Sequence, residues 1–197
     1  MAFIREIPLH EAAPDVRALY DRDRETLGYV ANYTKVFAHR PEVYTAWTRL
    51  IGAIRSGMDK RRYELITLAA AAHLRSTYCM LAHGTILLRS NLVTPDGLEA
   101  IARDYRQAGL SPAEGAMMAF AEKVTLNAHA ITAEDVATLR RREFSDTEIF
   151  DIAVTAAARC FFSKTLDAVG AVPDDTFRNL DERLRDALTV GRPFGEP

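Results

Sequence analysis

ELITLAAAAHLRSTYCMLAH, residues Glu64 to His83, is the stretch around which the rest of the chain is read. It opens as an alanine-rich helical run, breaks at Arg75-Ser76-Thr77, and restarts with Cys79 and His83 four residues apart. Four residues is just over one helical turn, so the thiol and the imidazole are expected on one face. With Ser76 as N-cap, Cys79 becomes the third helical residue, where free N–H groups and the positive end of the helix dipole favour an anion. An imidazole beside a thiol also promotes the thiolate, so the sequence predicts a thiol pKa below the ordinary value. Glu64 lies on the preceding helix, and a helix–break–helix hairpin returns it towards His83 to orient the ring. The roles expected are Cys79 as nucleophile, His83 as base and Glu64 as orienter. Taken singly, each residue is more often structural: a cysteine in a helical run is usually a small buried apolar side chain.

Outward from this stretch, nearly every segment reads as helix. Pro14 to Leu27 is amphipathic, with Gly28 as its stop. Tyr29 to Arg40 is mixed, and Pro41 opens a helix to about Gly57. Asp59 caps a helix to about Leu74, and Ser76 one to about Asn91. Thr94-Pro95, Ser111 with Glu114, Thr132 with Asp135, and Ser145 with Glu148 mark further helix starts. The Ser145 helix extends to Asp167, and a charged tail helix is expected from about Asp174 to Leu188. No segment alternates with period two, so the fold class expected is all-α: one domain over residues 1–197, with its core at about 28–170. The N-terminal arm and tail helix are expected as packing or oligomer extensions.

An offset of 87 residues aligns Tyr63-Glu64-Leu65 with Phe150-Asp151-Ile152, Ala69–Ala71 with Ala156–Ala158, and Ser76 with Ser163. This suggests a duplicated helical unit whose second copy has Leu166 and Gly170 where the first has Cys79 and His83.

The chain is 48% hydrophobic and 26% charged, with a net charge of −2, which gives no electrostatic reason for a nucleic-acid or membrane partner. No run approaches the roughly 18 apolar residues of a membrane span. The N-terminal MAFIREIPLHEAAPDVR carries charges where a signal peptide has its apolar core, so a cytoplasmic protein is expected. The two cysteines, Cys79 and Cys160, exclude a disulfide framework, and the five histidines give no metal-ligand spacing beyond Cys79 and His83. No metal or cofactor is expected.

Glu64, eleven residues, and then Ser76 to His83 resemble the Glu-x11-Cys-x-x-Cys-x-x-x-His signature of the alkylhydroperoxidase/carboxymuconolactone decarboxylase family. The flanks Tyr29-Val30-Ala31-Asn32-Tyr33, His39-Arg40-Pro41 and Ala156 to Phe162 are similar to its peroxidase-related members. The resemblance implies helices around a buried thiol, homo-oligomers, and hydroperoxide reduction with Cys79 as the peroxidatic thiol and His83 and Glu64 as its proton relay. One departure bears on mechanism: the resolving cysteine position holds Ser76, so an internal Cys-x-x-Cys disulfide cannot form. A sulfenate on Cys79 then needs Cys160, a small thiol or a partner protein as reductant. The alternatives are a decarboxylase or lactone-processing enzyme of the same superfamily, and a helical oligomer without turnover.

Overall fold

The computed structural model describes residues 2–194, and among them there is helix and no strand. Ten α-helices follow in order. They are α1 (Pro14–Leu27), α2 (Asn32–Phe37), α3 (Pro41–Ser56), α4 (Lys60–His73), α5 (Thr77–Arg89), α6 (Pro95–Asp104), α7 (Pro112–Asn127), α8 (Ala133–Arg140), α9 (Asp146–Ala168) and α10 (Glu182–Leu188). Short 3-10 turns at Leu9–Glu11, Tyr105–Gln107, Ala128–Ala130 and Asp175–Asn179 join or precede them. The starts read from the sequence are present: Asp59, Thr94, Ser111, Thr132 and Ser145 each accept a backbone N–H with the side chain. Ser111, Thr132 and Ser145 close full capping boxes.

Helix α4 is the axis of the molecule. Tyr63 to Ala71 are all buried, as expected of a helix covered on every side, and α5, α7 and α9 pack against it. The alanines let those neighbours approach closely. They are therefore spent on the interior of this chain and give no support to an intersubunit contact.

Where the sequence breaks, the backbone forms a Schellman turn. Ser76 N–H donates to Ala71 O at 2.9 Å and Arg75 N–H to Ala72 O at 3.0 Å. Arg75 occupies the left-handed position with φ 55°, where glycine is usual. The C-terminal strap holds this turn, because Arg75 Nε donates to Val190 O at 3.2 Å and Gly191 N–H to Thr77 Oγ1 at 3.0 Å. A Cβ on Gly191 would lie 1.8 Å from Arg75 O, so only glycine fits there.

Two expectations change. The tail is not one helix from Asp174: it forms a 3-10 turn, then restarts at α10 with Asp181 as cap. Asp174 is drawn instead into the interior, accepting from Tyr78 Oη at 2.7 Å and from Asn32 N–H at 2.7 Å. The suggested duplication stops short of the break, because α9 continues unbroken through Ser163. The N-terminal arm packs on its own chain through Phe3 N–H to Val169 O at 2.8 Å and Tyr20 Oη to Ile7 O at 2.6 Å.

Candidate active site

A cavity of about 340 Å³ opens between α3, α4, α5 and α9 and is lined in part by Glu64, Cys79, His83, Arg55 and Arg159. Tyr33, Tyr44, Trp47, Tyr63, Tyr78 and Phe162 supply aromatic wall. Trp47 and Phe162 stack with centroids 5.1 Å apart. The hairpin returns Glu64 to His83 as expected: His83 Nδ1 and Glu64 Oε2 are 2.6 Å apart. Glu64 is buried, its Oε1 has no hydrogen-bond partner, and 13% of the His83 side chain is exposed.

Cys79 is the third residue of α5 and is buried. Its sulfur accepts a hydrogen bond from Ser163 Oγ at 3.1 Å, and no hydrogen bond joins it to His83 among the described residues. Burial pushes the thiol up, against the lowering influence of Arg159, Ser163 and Ser76, while Asp167 pushes the same way as burial. The lowered thiol expected from the helix start and the imidazole is therefore corrected: desolvation is the largest influence on the sulfur, and His83 is not among the groups that act on it. Burial likewise holds His83 below the ordinary imidazole value. Glu64 acts to raise it, and the guanidinium groups of Arg159 and Arg55 act to lower it further.

Ser76 stands at the N-cap position, but its side chain caps nothing. Its buried Oγ closes no hydrogen bond of ordinary geometry, although it lies near enough to Cys79 and Asp167 to favour their charged forms. Cys160, half-buried on α9, does not line the cavity and is a free thiol.

Arg159 is the site residue to which the sequence reading gave no role. It is 3% exposed. Its Nη1 meets His83 Nε2 at 2.9 Å, and its guanidinium lies 5.0 Å from the Trp47 ring centroid and 5.5 Å from that of Phe162. A signal was present in Ala156-Ala157-Ala158-Arg159-Cys160-Phe161-Phe162: a lone charge within an apolar helical run, four residues from Ser163. Among the described residues no group of three or more His, Cys, Asp or Glu gathers as metal ligands.

Residues 41–123, which contain Glu64, Ser76, Cys79 and His83, match the sequence profile described as the carboxymuconolactone decarboxylase family. The match covers less than half of the chain. No curated protein matches the chain in sequence. Among solved structures, the chain is similar to an alkylhydroperoxidase core, a peroxidase-related protein from Ralstonia eutropha. That likeness has 28% identity, covers 89% of this chain and 94% of the other, and has a TM-score of 0.82. A peroxidase-related protein from a Silicibacter species shares the fold at 24% identity, with 90% and 91% coverage and a TM-score of 0.77. The debrominase Bmp8, in complex with 2,3,4-tribromopyrrole, shares it at 17% identity, with 92% and 95% coverage and a TM-score of 0.72. One helical fold is thus shared by proteins named for different chemistries. No described helix of the chain is long and apolar enough to cross a membrane.

Proposed function

We propose that this protein is a thiol-dependent oxidoreductase of the carboxymuconolactone decarboxylase type that reduces organic hydroperoxides through Cys79. The observation that carries this reading is one cavity onto which Cys79, His83 and Glu64 all open, walled by aromatic rings that suit an organic peroxide. The Cys79 thiolate attacks the terminal oxygen of R–O–O–H. An S–O bond forms as the O–O bond breaks, the cysteine is oxidised to the sulfenic acid, and the peroxide is reduced to R–OH. His83, protonated and held by Glu64, gives the leaving alkoxide its proton. An external thiol then condenses with the sulfenic acid, releasing water, and a second thiol regenerates Cys79. Cys160 has no part in this sequence, since it lies off the cavity.

One observation favours a second reading. The Glu64–His83 pair is fully formed while the thiol stands apart from it, as suits acid–base chemistry on a lactone or carbon acid. Peroxide consumption with a small dithiol as reductant separates the two. Cys79→Ser is expected to abolish turnover and sulfenic-acid trapping, and unchanged turnover in that variant would sink the peroxidase reading. We place the protein in the cytoplasm as a homo-oligomer. Exposed Leu50, Phe150 and Phe161 support the assembly, and light scattering is the check.

A further inference from the structure

Arg159 is a buried cation whose described hydrogen bond goes to a ring nitrogen, and among the described residues no carboxylate lies within salt-bridge distance of it. Guanidinium cannot accept a hydrogen bond, so the contact at His83 Nε2 requires that nitrogen to be bare. The ring proton then sits on Nδ1 and is donated to Glu64. The result is a relay of carboxylate, neutral imidazole and guanidinium, with every His83 nitrogen occupied. Arg159 Nε is buried and without a partner. A cation so placed is costly unless an anion forms near it. The Glu64 carboxylate is already paired with His83, and Cys79 is a further cavity-lining group that can become an anion.

We infer that Arg159 is the positioning residue of the thiol site, fixing His83 in its Nδ1-protonated form and serving as the counter-ion of the Cys79 thiolate. This deepens the thiol-oxidoreductase reading. When Cys79 ionises, Arg159 Nη1 turns from Nε2 to the sulfur, and the thiol proton passes to the vacated Nε2. The imidazolium so formed lies between Glu64 and the thiolate, and the total charge of the four groups is unchanged. The charged and titratable groups facing this pair are Tyr33 from α2, Arg55 and Tyr44 from α3, Glu64 and Tyr63 from α4, Tyr78 from α5, and Arg159 and Asp167 from α9. Only Arg159 among them acts on both Cys79 and His83 as a cation.

The test is the pH profile of Cys79 alkylation in a Cys160→Ser background, read by mass spectrometry, together with the ¹⁵N shifts of the His83 ring. Arg159→Met is expected to slow alkylation at neutral pH about tenfold or more while leaving the high-pH plateau unchanged. Arg159→Lys keeps a donor and a charge and is expected to hold the wild-type profile within about threefold. An unmoved profile in Arg159→Met, or a lysine variant as impaired as methionine, overturns the inference. Should Arg159→Met fail to fold, the wild-type ring decides: a proton on Nδ1 supports the assignment, and one on Nε2 ends it. Alkylation needs no peroxide. A protein that shifts its profile as expected but reduces no hydroperoxide loses the peroxidase reading and keeps this role. One that turns over normally as Arg159→Met keeps the reading and loses the role.

Discussion

Ser76→Cys restores a second thiol one turn before Cys79. Ser76 is fully buried and directly precedes the first turn of α5, while Cys79 is the third residue of that helix. Residues three apart on a helix have Cβ atoms about 5–6 Å apart. A disulfide needs about 3.5–4.5 Å, so the first turn must tighten slightly. Closing a loop of four residues restricts the unfolded chain by about 2 kcal/mol, from which that adjustment is subtracted. Replacing Ser76 also removes a buried hydroxyl without a partner, which costs about 1–3 kcal/mol and offsets the larger sulfur. The reduced variant is therefore expected near wild-type stability, and the oxidised form about 1–2 kcal/mol above it in urea unfolding. One equivalent of peroxide, applied in a Cys160→Ser background, should remove two hydrogens from the intact mass and leave no thiol open to alkylation. Dithiothreitol should reverse both effects. Oxygen adducts on Cys79 with the introduced thiol still free would refute the helix-start geometry as a resolving position.

Two further outcomes are expected. Gly191→Ala drives a Cβ into Arg75 O and should lower stability by about 1–3 kcal/mol in thermal unfolding. The control Gly115→Ala, with open space around its Cβ, should be neutral or slightly stabilising; equal effects in both would show that the strap does not grip the turn. Asp174 is raised above the ordinary carboxyl range by burial, against the opposing hydrogen bonds from Tyr78 and Asn32. A raised folded pKa means its contribution is full below the unfolded value of about 3.9 and is lost as pH rises through the folded value. Asp174→Asn should flatten urea midpoints over that window, and a slope identical to wild type would contradict the sign.

The all-α fold was legible because its signals are local. Ser111, Thr132 and Ser145 state their helix starts within four residues, and Gly28, at φ 84°, supplies the left-handed stop. The meeting of Glu64 and His83 was legible too, since a short break after a helix forces a hairpin. Asp174 looked like the start of a charged tail helix, yet its partners Asn32 and Tyr78 lie far off in the chain. Arg159 escaped for the same reason. The run around it shows that it is buried, but its role depends on α3, α4 and α5 converging on α9. Ser76 shows the limit of a correct position: the cap site was right, and its hydroxyl still turned inward.

Burial and reactivity are reconciled at Cys79 by the groups around it. A thiol whose pKa is raised by desolvation favours its protonated form at rest, which is the less readily oxidised form. The same desolvation strengthens each charge interaction once ionisation begins, because the local dielectric is low. Ser163 and Ser76 stand at the sulfur, Arg159 supplies the opposing charge, and Glu64 supports the proton received by His83. The first turn of α5 makes this arrangement depend on geometry: the Schellman turn at Arg75 sets where α5 begins, and Val190 and Gly191 hold that turn in place. The tail is therefore part of what places the sulfur, although it carries none of the chemistry.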